Sequence, residues 1–104
     1  MSQSDPPDLA SAVEAIRHLR HAKNEAEAQI DHCKRQMADE QEMLDDIVNG
    51  NYEADEAQVK RVTKACELGI TAWKMSIAAY RKDIDSYEGR FGAIAERFPM
   101  AATS

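Results

Sequence analysis

Apolar residues recur along the first half of this chain in steps of three and four: Leu9, Ala12, Ile16, Leu19, Ala26, Ile30, Cys33, Met37 and Leu44, with Lys23 and Gln41 filling the two remaining places. The second half repeats the device with Val59, Val62, Cys66, Ile70, Trp73, Ile77, Tyr80, Ile84, Tyr87, Phe91 and Ile94. One apolar stripe per arm at a period near 3.6 residues predicts two amphipathic helices. Each place in one stripe has a counterpart in the other whose number completes 103, as 16 does with 87 and 30 with 73. This mirror symmetry predicts an all-α fold, a long antiparallel two-helix hairpin of coiled-coil type. Both arms also set two four-residue steps in succession (33-37-41 and 62-66-70), so the seam is expected to carry a matched stutter.

The boundaries follow from capping chemistry. Helix 1 is expected over about 6–48, with Asp5 as its cap and Pro6 at the first helical position. Asn49-Gly50-Asn51 supplies residues that tolerate left-handed backbone, which predicts a turn over 49–54. Asp55 and Gln58 have capping-box spacing, so helix 2 is expected over about 55–98, where Pro99 ends it. Residues 1–4 and 100–104 are expected to be disordered, and 1–104 reads as one domain. The mirror rule further predicts the ion pairs Glu42–Arg61, Asp39–Lys64 and Arg20–Asp83, and sets Lys23 opposite Tyr80.

Composition narrows the function classes. A chain of 104 residues has a marginal core unless a partner helps. Its formal net charge of −6 argues against direct binding to nucleic acid or to an anionic membrane. No signal peptide or membrane span is read from the sequence, so a cytoplasmic location is expected. The two cysteines sit on the apolar stripes and read as small core residues, too far apart to bridge.

Two surfaces are left over once the seam is assigned. The first is an acidic tip. Between Gln36 and Val59 lie eight acids and no base: Asp39, Glu40, Glu42, Asp45, Asp46, Glu53, Asp55 and Glu56. A field of one sign concentrated at one end steers and orients a basic partner. The second is a further apolar stripe on helix 2, made by Ala65, Leu68, Ala72, Met75 and Ala79 at the same three-four spacing. It suits self-association into a homodimeric four-helix bundle, or docking of a foreign helix.

Other constellations are weaker. Asp45, Asn49, Gly50, Asn51, Glu53 and Glu56 fall on calcium-loop positions, but Ile47 occupies a place that must ligate. Glu14, His18, His21, Glu25 and His32 share an outer stripe of helix 1, yet Arg17 and Arg20 beside them would repel a cation. Neither pattern specifies a metal site, and no cofactor is expected. The chain holds no phosphate loop, nucleophile elbow or cysteine–histidine pair on a common face, so catalysis is not expected. The Trp-x-Gly turn that marks one group of small secreted helical hairpins is replaced here by Asn49-Gly50-Asn51-Tyr52.

The sequence therefore reads as a noncatalytic protein-interaction module, an adaptor or small regulator. It would dock a basic partner through the tip and use the helix 2 face for self-association or for that partner. Two alternatives stay open. One is a small acidic inhibitor of phage type that competes with nucleic acid for a basic site. The other is a metal-binding helical bundle.

Overall fold

The computed structural model describes residues 6–103. Among them there is no strand. Helix α1 spans Leu9–Val48, α2 spans Glu56–Arg97, and a short α3 spans Pro99–Ala102. The two long helices form a hairpin, as the mirrored stripes require. No helix is long and apolar enough to cross a membrane among the described residues.

Each helix end has a chemical cause. The cap expected at Asp5 lies outside the described residues; α1 starts at Leu9 instead of near Pro6, because Asp8 caps it. The Ser11 backbone N–H donates to Asp8 Oδ1 at 2.8 Å, and that bond holds the Asp8 carboxyl below its ordinary pKa. At the other end the Asn51 N–H donates to the Asp46 carbonyl at 2.8 Å and the Gly50 N–H to the Ile47 carbonyl at 3.2 Å. Together these make a Schellman closure, which needs a left-handed residue, and Gly50 supplies it at φ 75°. Asp55 then caps α2 as expected: the Gln58 N–H donates to its Oδ1 at 2.8 Å.

The inward positions match the stripes with two exceptions. Leu9 is 45% exposed at the first turn of α1. Gln41 is exposed, while Glu40 beside it is half-buried. Helix α1 thus turns 33, 37, 40, 44 and 47 inward in unbroken four-three alternation, and the expected stutter is absent from it. The cause is Gly69 on α2, which has no side chain: the Glu40 carboxylate occupies the space a Cβ there would need.

The backbone divides into two compact units: residues up to Ala28 with those from Arg81 onward, and Gln29–Tyr80. In the first unit, Ala12, Ile16 and Ala101 are fully buried, with Val13, Phe91, Ile94 and Phe98 packed against them. Ala101 belongs to α3, so the expectation of disorder over 100–104 is overturned for residues 100–103. Phe98 leaves helical geometry at φ −130°, ψ 74°, and Pro99 restarts the helix. One turn then carries Ala101 onto the core, where burial of apolar surface stabilises it by about 25 cal/mol per Å². Arg20 fastens the segment, donating from Nη2 to the Ala102 carbonyl at 3.0 Å while its guanidinium lies 5.5 Å over the Phe91 ring. A cation at a helix's final carbonyls also suits the helix dipole.

The second unit buries Ile30, Cys33, Cys66 and Ile77. His32 meets the Trp73 ring edge-on, with centroids 5.8 Å apart and planes at 88°. Both thiols are free. Burial pushes the Cys66 thiol above its ordinary pKa, and the nearby Glu40 charge adds to the effect.

Across the seam of each unit, touching pairs carry higher numbers than the mirror rule assigns. His32 meets Trp73, and Lys23 meets Glu88 at 3.0 Å where Tyr80 was expected. Helical side chains lean toward their own N-terminus, which in antiparallel helices displaces every contact in the same sense. Long side chains such as Lys and Arg add reach to that lean. None of the predicted pairs Glu42–Arg61, Asp39–Lys64 and Arg20–Asp83 forms; among the described residues, Lys23–Glu88 is the ion pair joining the two long helices.

Candidate functional site

The acidic tip and the second α2 stripe both belong to the unit Gln29–Tyr80. The turn over 49–55 joins α1 to α2 and brings the eight acids of both helix ends together at one end of that unit. Their roles separate once the geometry is known. Asp55 is a cap, and Glu56 pairs with Lys60 at 3.5 Å, one turn along α2. Asp45 accepts a hydrogen bond from Gln41 Nε2 at 3.1 Å. Glu40 does not belong to the exposed tip at all. It folds inward onto Gly69, and its Oε2 is buried without a hydrogen-bond partner among the described residues. Asp39, Glu42 and Glu53 are exposed and Asp46 is half-buried; none of their carboxylates is engaged within the described structure. The available charge is therefore smaller than the count of acids implies, and it is carried by Asp39, Glu42, Asp45, Asp46 and Glu53 beside the 84%-exposed Val48.

The second stripe lies open along its length. Leu68 is 61% exposed and Met75 is 69% exposed, with Ala65, Ala72 and Ala79 exposed between and beside them. The stripe therefore does not widen the hairpin's own core. Large apolar side chains this exposed, in register on one helix, mark a surface that another helix can cover. On the adjoining edge of α1, Lys34, Met37, Ala38 and Gln41 line a shallow groove with Ile70 and Lys74.

The histidines do not converge. His18 pairs with Glu14 at 3.1 Å and His21 with Glu25 at 3.2 Å, each along the helix surface, while His32 is turned to Trp73. Among the described residues no three His, Cys, Asp or Glu side chains gather in a way that could hold a metal ion. In the other unit, Leu19, Arg20, Lys23, Tyr87, Glu88 and Phe91 line an open groove of about 350 Å³. Glu88 holds the Lys23 ammonium above its ordinary pKa of 10.5, so two of the groove's charges are spent on each other.

Three features escaped the sequence pattern: the α3 seal, the Arg20 bond to it, and the inward turn of Glu40. The first had a signal in Phe98-Pro99-Met100-Ala101-Ala102, a proline at a helix start followed by good helix formers. The third had one in Gly69, since an isolated glycine inside a helix often marks a close approach.

No family model, curated protein or solved structure matches the chain.

Proposed function

We propose that this chain is a noncatalytic protein-interaction module. A basic partner docks on the acidic end of the hairpin, and the second face of α2 makes a homodimer of the four-helix-bundle kind. The observation that carries the reading is the run from Gln36 to Val59, which holds eight acids and no base. Its solvent-facing carboxylates are largely unspent on internal bonds. Such a field attracts basic surfaces from beyond contact distance and weakens as salt screens it. A competitor that occupies a nucleic-acid site on its target is the narrower form of the same reading, supported by the sign of the charge and the small size.

Replacing Asp45, Asp46 and Glu53 together by Lys tests it. All three lie outside the buried core, so the variant is expected to keep its helical circular dichroism. Capture of a partner by the tagged chain from native lysate should fall by at least tenfold and should weaken with salt in the parent protein. Undiminished capture by the folded triple variant, or capture insensitive to salt, would refute docking through the tip.

A further inference from the structure

We propose that α3 is a strap that swings open about Phe98 while the two long helices stay paired, with Arg20 as its latch. Closed, it covers Ala12 and Ile16. Open, it presents an apolar patch of Ala12, Val13 and Ile16 beside Phe91 and Ile94. The strap thereby decides when that patch is offered to solvent, and four observations support it.

The first is length. Helix α3 has four residues, Pro99–Ala102. A single turn has almost no stability of its own, because nucleating a helix costs more than one turn of bonds returns. Its order therefore depends on what it packs against. Ala101 is buried there at 1% exposed, while Met100 on the same turn is 70% exposed. The long helices instead bury side chains along their length, among them Leu19, Ala26, Ile30 and Ile77. Segments with few buried contacts open at the lowest free energy, so the strap opens before the hairpin does.

The second is the hinge. The Phe98 N–H donates to the Ile94 carbonyl at 2.7 Å, which completes α2, and the Phe98 side chain packs against the core. Its backbone then leaves helical geometry, and Pro99 has no N–H to tie the next residue back to α2. Further on, the Ala101 N–H donates to the Phe98 carbonyl and the Thr103 hydroxyl to the Met100 carbonyl, each at 3.0 Å. Those bonds travel with the strap when it turns.

The third is the latch. Arg20 reaches from α1 to the Ala102 carbonyl, at the end of the strap farthest from the hinge. Its positive charge strengthens that hydrogen bond. The same guanidinium rests over the Phe91 ring, so it keeps its place when the carbonyl leaves.

The fourth is access. An open groove of about 140 Å³ runs along the strap's edge, lined by Val13, Ile16, Arg17, Arg20 and Ala101. Water can enter there and replace the strap without the long helices parting.

Thiol labelling of the full-length chain carrying Ala101→Cys tests this in native buffer, read peptide by peptide in mass spectrometry. Cys33, 2% exposed, reports parting of the long helices in the same sample. Each rate is divided by that of the same thiol in the unfolded chain, which gives the open fraction at each site. The thiol at position 101 should be open at least about tenfold more often than Cys33. Arg20→Gln should raise that fraction roughly five- to tenfold, the worth of one hydrogen bond, and leave Cys33 unchanged. Arg20→Lys, which keeps a charged donor, should fall between. Equal open fractions at the two thiols would overturn the independent strap. An Arg20→Gln change that leaves position 101 unaffected, or raises both sites together, would overturn the latch. Amide exchange without the added thiol guards against the larger side chain lifting the strap by itself. There Arg20→Gln should hasten exchange of the Ala101 amide several-fold and leave the amides of residues 26–40 unmoved. Exchange at Ala101 that follows those amides in both chains would refute the proposal.

Discussion

The residues around Ile16 and the residues around Glu40 are drawn from the same two helices, with similar stripes and the same period, yet they settle differently. Around Ile16 the hairpin recruits a further piece of its own chain. Helix α3 lays Ala101 over Ala12 and Ile16, and Arg20 holds its end. Around Glu40 nothing comparable arrives. A carboxylate lies in the seam without a partner, a glycine makes room for it, and Leu68 and Met75 stand in solvent. Two helices bury only one face each, so a hairpin has apolar surface to spare. One unit spends that surface on an intramolecular seal. The other keeps it available, and that unit also carries the charge.

The largest test of this contrast is Ile16→Ala. Ile16 is 2% exposed, and removing its side chain should cost about 2–5 kcal/mol in denaturant unfolding. Amide exchange should show protection lost first in residues 9–28 and 81–102. Equal loss throughout 29–80 would mean that the units do not respond separately.

A smaller effect of opposite sign is expected at the other seam. Glu40→Ala with Gly69→Ala removes an unpartnered carboxylate and exchanges glycine for the best helix former, which should stabilise by about 1 kcal/mol or more. Gly69→Ala alone must first displace Glu40, so its gain should be smaller and the two changes non-additive. Additive behaviour would show that Glu40 and Gly69 do not share that space.

The smallest effect belongs to Lys23 and Glu88, whose side chains are 39% and 54% exposed. The pair raises the Lys23 pKa, so its contribution is complete below the ordinary lysine value of 10.5 and is lost as pH climbs through the raised folded value. Glu88→Gln should therefore lower stability slightly at neutral pH, the effect being small because solvent screens the bridge. The difference from the parent should close as pH climbs through the raised Lys23 value, which flattens the alkaline limb. An alkaline limb identical to that of the parent would show that the bridge is energetically silent.

Much of the hairpin was legible because a stripe at helical period is imposed by burial itself, and both arms obey it. Asp55 and Gly50 were legible because capping and left-handed backbone restrict the choice of residue. Ala101 was not, since a single small residue carries no periodic signal and its burial depends on a chain reversal at Phe98. Glu40 was hidden for a different reason. Its neighbour Gln41 fits the stripe equally well, and only the missing side chain at Gly69 decides between them. In the candidate site the same physics divides the acids: sequence shows how many there are, but not that Asp55 and Glu40 have structural positions while Asp39, Glu42 and Glu53 face solvent.

The buried thiols give this molecule a built-in clock. A thiol must ionise before it reacts, and the Cys66 thiol is both shielded and held above its ordinary pKa. Cys66 is 8% exposed, so an alkylating reagent reaches it best when the two helices part. The rate at which such a reagent consumes the protein, divided by the rate for an exposed thiol, therefore reports the fraction of time the helices are parted, at neutral pH and without denaturant. Any occupant that clamps α2, whether a second copy or another protein, would slow the clock, and the ratio of the two rates would measure how firmly it holds.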